Sequence, residues 1–578
     1  MPPLHYTPQS IRSGSRLGWR DLVLFIALFG LIAGCLHLAR QMHAPFTPGE
    51  VMTIDLSPAR LPEYAARSLV RMFLAFGASI LFTLVYGYIA AHSRRAERVL
   101  IPLLDILQSV PVLGFLSVTV TGFMALFPGS LLGLECACIF AVFTGQAWNM
   151  TFSFYQSLKT IPDELKDASL VYRLTWWQRF TRLEVPFSMI GLVWNGMMSF
   201  GGGWFFLSAS EAISVLNQNY KLEGIGSYMA GAVDKGDARA IAWSIVTMVT
   251  VVVVVDQLFW RPVVAWSKRF RFEEMGTEDE PESFVLDLLR RSSLVAWVQK
   301  KVLNPGSKAL DRFFMGSERF VSRAKVPGLI GRVAGGLAAL MVGGMVVYGL
   351  TIALRAIQSE LTGRMVFDVL EQGILTLLRV LVVVILATLI WTPIGVRIGF
   401  SRRLAKIAQP LVQIGASFPA NLIFPVVVIA FIHFHISLNW GSILLLALGT
   451  QWYILFNVIA GASAVPSDLR EAAMVFHLGG WRLWRKLILP AIFPAWVTGA
   501  LTASGGAWNA SIVAEVASWG SHKLTARGLG AYIAQATERG DWPQIILGIS
   551  TMCFFVIVLN RLVWRRLYAL GEERYRLG

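Results

Sequence analysis

The chain has 578 residues, of which 55% are hydrophobic and only 15% charged, whereas a soluble domain carries about 25% charge. That balance excludes a disordered, collagen-like or disulfide-scaffold chain and points to a polytopic membrane protein. Lys and Arg exceed Asp and Glu by 51 to 35, an excess that the positive-inside rule explains without nucleic acid if the basic residues collect in loops on one side.

Crossing roughly 30 Å of hydrocarbon takes about 20 apolar residues. Twelve such runs are expected as spans: 19–41, 66–91, 100–126, 130–150, 186–208 and 238–260, then 328–354, 372–398, 410–434, 439–461, 489–511 and 543–563. The first is too long for a signal-peptide core and reads as a retained helix. Arg12, Arg16 and Arg20 precede it, and alternate loops carry the remaining basic clusters, such as Arg94, Arg95 and Arg98 or Arg482, Arg485 and Lys486. Both termini are therefore expected on the cytoplasmic side. The four cysteines, Cys35, Cys136, Cys138 and Cys553, fall inside apolar runs and read as small fillers.

The two halves repeat. Ser93-Arg94-Arg95 matches Ser401-Arg402-Arg403 at an offset of 308, as do Pro102 and Pro111 with Pro410 and Pro419. Further on the offset settles at 304, pairing Pro162 with Pro466, Trp177 with Trp481, Trp204 with Trp508, Glu211 with Glu515 and Gly236-Asp237 with Gly540-Asp541. With six spans in each half, both run the same way through the bilayer, a parallel repeat about an axis along the membrane normal. The expected fold is all-α: a cytoplasmic N-terminus (1–18), a first half (19–260), a cytoplasmic linker (261–327), a second half (328–565) and a cytoplasmic tail (566–578).

No Walker A sequence, His-Glu-x-x-His or nucleophile elbow is present, so no catalytic residue, metal site or bound cofactor is expected, and uphill transport would draw on an ion gradient or on a partner. The loops 156–185 and 462–488 favour a partner. In each, a proline followed by acids starts a helix: Pro162, Glu164, Leu165 and Asp167 in the first, Pro466, Asp468, Leu469 and Glu471 in the second. The small pairs Ala168-Ser169 and Ala472-Ala473 permit close packing, and Trp177 and Trp481 offer apolar anchors. Such a helix can plug into a groove on another protein.

Glu471-Ala472-Ala473 with Leu489-Pro490, and more loosely Asp167-Ala168-Ser169 with Val185-Pro186, resemble the EAA loop of binding-protein-dependent ABC importer permeases of the type I fold. Arg173 and His477 stand where the family has glycine. Ser68-Leu69-Val70-Arg71, Thr376-Leu377-Leu378-Arg379 and Gly505-Gly506-Ala507-Trp508-Asn509 extend the resemblance to the nitrate/sulfonate/taurine branch, as a duplicated permease. The resemblance implies that each EAA helix docks on one of two ATPase subunits, which bind the ATP and Mg, and that a periplasmic binding protein delivers a small anion at the bacterial inner membrane. A fused ferric-iron permease is the nearest alternative. An ion-coupled secondary transporter is the alternative from another class. It would need paired titratable groups at the midplane, and the repeat does not preserve the isolated carboxylates Asp105 and Asp256.

Several residues are candidates for the solute pathway. Gln108, Ser109, Ser417 and Asn421 flank the repeated prolines, where freed carbonyls suit a pore lining, but they also suit interhelical bonding. Asn509 has the same two readings. Arg71 and Arg379 can meet an anion, snorkel to headgroups, or pair with a carboxylate.

Overall fold

The computed structural model describes residues 53–215, 218–270, 284–312, 363–520 and 522–574, with isolated positions between 25 and 46 and residues 344 and 351. The first and seventh expected spans, 19–41 and 328–354, lie outside the described residues apart from those isolated positions.

The first half opens with α1 (Leu61–His92), whose Phe73, Leu74, Leu81, Val85 and Ile89 are exposed as a lipid-facing stripe. Ser93 ends it: extended, with its Oγ accepting from Ala96 N, it caps α2 (Arg94–Ser109). The expected single span at 100–126 is two helices. Val110 is extended (φ −78°, ψ 123°), as the residue before a proline prefers, and α2 stops there. The chain resumes as α3 (Leu116–Leu126) and α4 (Leu132–Lys159). Two short loop helices follow, α5 (Asp163–Val171) and α6 (Trp176–Arg179). A π-helical turn, Phe180–Glu184, leads into α7 (Val185–Glu211) next to Pro186, which has no N–H for the regular ladder.

Beyond α7 lie elements that the apolar runs do not announce: an antiparallel hairpin of β1 (Ala212–Val215) and β2 (Gln218–Lys221), then the short helix α8 (Ile225–Lys235). Gly236 closes α8 at φ 66°, a left-handed position that glycine takes freely, and Asp237 Oδ1 accepts from Arg239 N and Ala240 N to start α9 (Ala238–Val255). The repeated Gly-Asp pair is thus a C-cap followed by an N-cap. After α10 (Arg261–Ser267), the linker contributes α11 (Phe284–Arg291), α12 (Ser293–Val298) and a helical stretch at 304–312.

The second half repeats the plan: α13 (Gly363–Gly399), α14 (Arg402–Ser417), α15 (Phe424–His433), α16 (Leu438–Ser463), α17 (Ser467–Val475), α18 (Gly480–Leu483), α19 (Leu489–Ala514), the hairpin β3 (Val516–Trp519) and β4 (His522–Thr525), α20 (Leu529–Arg539), α21 (Trp542–Leu559) and α22 (Arg565–Arg574). Ser401 caps α14 and Gly540-Asp541 joins α20 to α21 as in the first half. The expected span 410–434 is likewise divided, at Pro419.

Among the described residues, six helical stretches are long and apolar enough to cross a membrane: Pro58–His92, Ala238–Phe270, Gly363–Gly399, Leu438–Ser463, Gly480–Ala514 and Trp542–Gly571. Leu116–Leu126 and Phe424–His433 are shorter apolar helices. The chain is an all-α multi-pass membrane protein built as two copies of one bundle. In lipid, helices gain little from burying apolar surface against one another, so small residues and hydrogen bonds carry the association. The closely packed pairs α4–α7 and α16–α19 show this. A Cβ on Gly145 would enter the Phe206 ring, and one on Gly499 would meet the Tyr453 carbonyl oxygen.

Candidate functional site

The loops 156–185 and 462–488 share one shape. Pro162 and Pro466 stand extended just before α5 and α17 at φ −55° and −53° with ψ 142° in both, so the prolines are N-caps and the helices begin one residue later. Glu164, Asp167, Asp468 and Glu471 are exposed, while Leu165, Ala168 and Ala472 are half-buried and Leu469 is exposed. Ser169 and Ala473 are buried against the bundle, which explains the small residues there. Each helix ends in an exposed apolar triplet, Leu170-Val171-Tyr172 and Met474-Val475-Phe476.

The turn that follows is a Schellman closure. Leu174 N–H reaches back to Ser169 O at 3.0 Å, and Leu478 N–H to Ala473 O at 2.9 Å. Between them Arg173 and His477 hold left-handed φ values of 49° and 48°, a conformation that costs a residue with a Cβ about 1–2 kcal/mol. The glycine conformation is therefore kept without the glycine. Replacing His477 by glycine relieves that strain against about 0.5–1 kcal/mol of added unfolded-state entropy. A net stabilisation of about 1 kcal/mol is expected, read as a higher denaturation midpoint of the detergent-solubilised protein. A lower midpoint would mean that the imidazole makes contacts worth more than the strain.

The tryptophans differ. Trp177 is half-buried, its ring beside Trp176 and Phe180, and its Nε1 donates to Asp311 Oδ1 of the linker at 2.9 Å. Trp481 is 70% exposed. The first loop is thus braced by the linker through its tryptophan.

Arg71 and Arg379 do not line a cavity between the halves; each lies in a buried knot at the opposite end of the bundle. Arg71 grips Glu135 through two bonds, Nε to Oε2 at 2.6 Å and Nη2 to Oε1 at 2.7 Å, and its Nη1 reaches Glu211 Oε1 at 2.8 Å. Ser68 Oγ donates to Glu211 at 2.6 Å and accepts from Ile225 N, while Gly226 N donates to the other Glu211 oxygen at 2.8 Å. One guanidinium therefore ties α1, α4 and α7 together, and Glu211 anchors the start of α8, whose positive dipole end suits a carboxylate. In the second half Arg379 Nη1 meets Glu515 Oε1 at 2.7 Å, Thr376 stands for Ser68, and Ala531 N donates to Glu515. Asn439 replaces Glu135, accepting from Arg379 through its backbone and side-chain oxygens at 3.2 and 3.3 Å. Of the readings open to Arg71 and Arg379, pairing with a carboxylate is the one the structure shows, with Glu135 and Glu211 as partners of the first and Glu515 of the second.

Of the polar residues near the prolines, Asn421 and Asn509 tie one half to the other, whereas Gln108 Nε2 donates to Asp105 Oδ1 within α2 at 3.1 Å. Asn509 Oδ1 accepts from Val112 N, just past Pro111, at 2.8 Å. Asn421 and Ser208 exchange hydrogen bonds at 2.9–3.0 Å across the same interface. Arg565 pairs with Asp105, from α22 to α2. Ser417 is buried against Gly201 of α7.

Between the halves lies a cavity of about 220 Å³. Gln108 and Asn509 line it, whereas Ser417 and Asn421 do not. No Lys, Arg, Asp or Glu is among its lining residues; its polar groups are amides and hydroxyls, and three tryptophans form part of its wall.

Two stretches of the chain, 83–259 and 391–577, match the family model described as binding-protein-dependent transport system inner membrane component. Similar relatives include a nitrate import permease of Leptolyngbya laminosa, 27% identical over 32% of this chain and 64% of the relative. A bicarbonate transport system permease of Synechococcus elongatus is 28% identical over 33% of this chain and 66% of its own length. A putative aliphatic sulfonates transport permease of Bacillus subtilis is 29% identical over 30% and 63%. The matched part spans about two thirds of the length of these relatives. With the family's fold present twice in one polypeptide, the chain belongs to the inner-membrane components of binding-protein-dependent transport systems, as a duplicated permease.

Proposed function

We propose that this chain is the permease of an ABC importer for a small anion of the nitrate, bicarbonate or sulfonate kind. In this reading α5 and α17 each dock on one ATPase subunit, which holds the ATP and Mg. A periplasmic binding protein delivers solute from the other side, and both termini lie in the cytoplasm of a bacterium whose inner membrane holds the chain. The carrying observation is the pair of loops with one backbone geometry, each ending in an apolar triplet exposed to solvent. The relatives' names supply the anion class. Mechanically, each loop is a rigid lever: α5 and α17 are fixed to the bundle through Ser169 and Ala473, so drawing the two levers together beneath the membrane rocks one half against the other. The polar ties across the interface give the halves a defined packed state.

The test is reconstitution of the chain with its cognate ATPase in vesicles. Uptake of labelled anion is expected to require ATP and to persist when ion gradients are collapsed. Uptake driven by an ion gradient with no ATPase present would overturn the reading in favour of a secondary transporter.

A further inference from the structure

The two loops offer one backbone shape but not one charge. At the offset of 304, Arg482, Arg485 and Lys486 of the second loop correspond to Gln178, Thr181 and Arg182 of the first. All three second-loop cations are exposed. In the same stretch of the first loop, Arg179 is half-buried, and Arg182 lies 3.9 Å from the Asp311 carboxylate of the linker. The loop's own residues therefore present less positive charge. Charge complementarity steers docking and fixes register, so one kind of partner surface would fit the two loops unequally.

The linker supplies the difference. Its helical stretch 304–312 is held to the first loop by Asp311, which accepts from Trp177 Nε1 at 2.9 Å. Lys308 stands one turn before Asp311 and Arg312 directly after it, and both are exposed. These two cations match in number those that Gln178 and Thr181 leave out. Leu310, 52% exposed, adds an apolar contact beside them. In the second loop the cations belong to the loop itself, and Trp481, the counterpart of Trp177, stays exposed.

Two features favour a protein over lipid headgroups as the occupant. The stretch is bonded to the loop that carries the exposed Leu170-Val171-Tyr172 triplet, so the two surfaces form one continuous face. The same Pro geometry and the same closing turn in both loops mean that a socket fitting one fits the other.

Resting on the permease reading above, we infer that linker residues 304–312 are part of the docking surface for the first ATPase subunit. Lys308 and Arg312 stand in for Arg482 and Arg485, and Asp311 is the positioning residue. One kind of ATPase subunit, with an acidic patch at its socket, then serves both halves.

Capture of the cognate ATPase by the full chain in phosphatidylcholine nanodiscs tests this, in a Phe476→Ala background so that the first loop carries the binding. Lys308→Glu with Arg312→Glu is expected to weaken capture at least tenfold and to flatten its salt dependence, with the denaturation midpoint unchanged. Thr181→Arg, which copies Arg485, should restore capture. Asp311→Ala should weaken it similarly, whereas Asp311→Asn, which keeps an acceptor for Trp177, should not. Undiminished capture by the double variant would overturn the inference. So would a defect that appears only when anionic phosphatidylglycerol is in the disc, because it would assign the cations to lipid. No capture by the wild-type chain would overturn the permease reading and this inference together, whereas a defect confined to Phe476→Ala would leave that reading standing and remove the linker alone.

Discussion

Arg71→Ala is expected to be the most destabilising single substitution in the described bundle, at about 3–5 kcal/mol, a large fraction of the ~5–15 kcal/mol that holds a typical native protein together. The guanidinium makes two bonds to Glu135, one to Glu211 and one to the Glu223 carbonyl, at 2.6–2.9 Å. Its removal strands two buried carboxylates, whose desolvation then goes uncompensated. Arg379→Ala strands only Glu515, because Asn439 occupies the Glu135 position, so a smaller loss is expected. Glu135→Asn, which copies the second half, should be milder still. Denaturation midpoints of the three variants in one detergent give the ranking. An Arg71→Ala protein as stable as the wild type would mean that the knot adds nothing to the fold.

The second large effect concerns coupling. Phe476→Ala and Glu471→Lys are each expected to weaken capture of the ATPase by about thirtyfold, equivalent to the ~2 kcal/mol of an interface hot spot. Phe476 is 75% exposed, so its truncation removes nothing from the bundle. Glu471 is exposed, so reversing its charge leaves the buried packing of the bundle untouched. Insertion and the denaturation midpoint should match the wild type. Asp167→Lys should have a milder effect, in line with its weaker copy of the motif. Undiminished co-purification of the ATPase with both second-half variants would remove α17 as a lever.

Much of this architecture was readable from residue order because the relevant physics is local. The Ser-Arg-Arg repeat is a helix cap, the Gly-Asp repeat is an end and a start, and Pro162 and Pro466 mark the starts of α5 and α17. The breaks at Pro111 and Pro419 were harder, since apolar residues continue through them and a hydropathy run does not register a missing N–H. The hairpins at 212–221 and 516–525 are too short and polar for that signal. The partners of Arg71 lie 64 and 140 residues away, and no local pattern spans such a distance. The offset of 304 itself carries further information: it pairs Glu135 with Asn439 and Phe200 with Ser504, two of the places where the halves part company. The left-handed Arg173 and His477 show the reverse case. Arg173 and His477 stand where the family has glycine, yet the backbone keeps the left-handed turn and accepts the strain.

The Glu135–Asn439 difference has an evolutionary corollary. When two identical subunits assemble, every codon change appears at both symmetry-related places, so a gain on one side must survive its effect on the other. Joining the copies end to end lifts that restriction. Selection can then retune one clasp while its twin stays as inherited, and a single gene comes to encode a lock with two different tumblers.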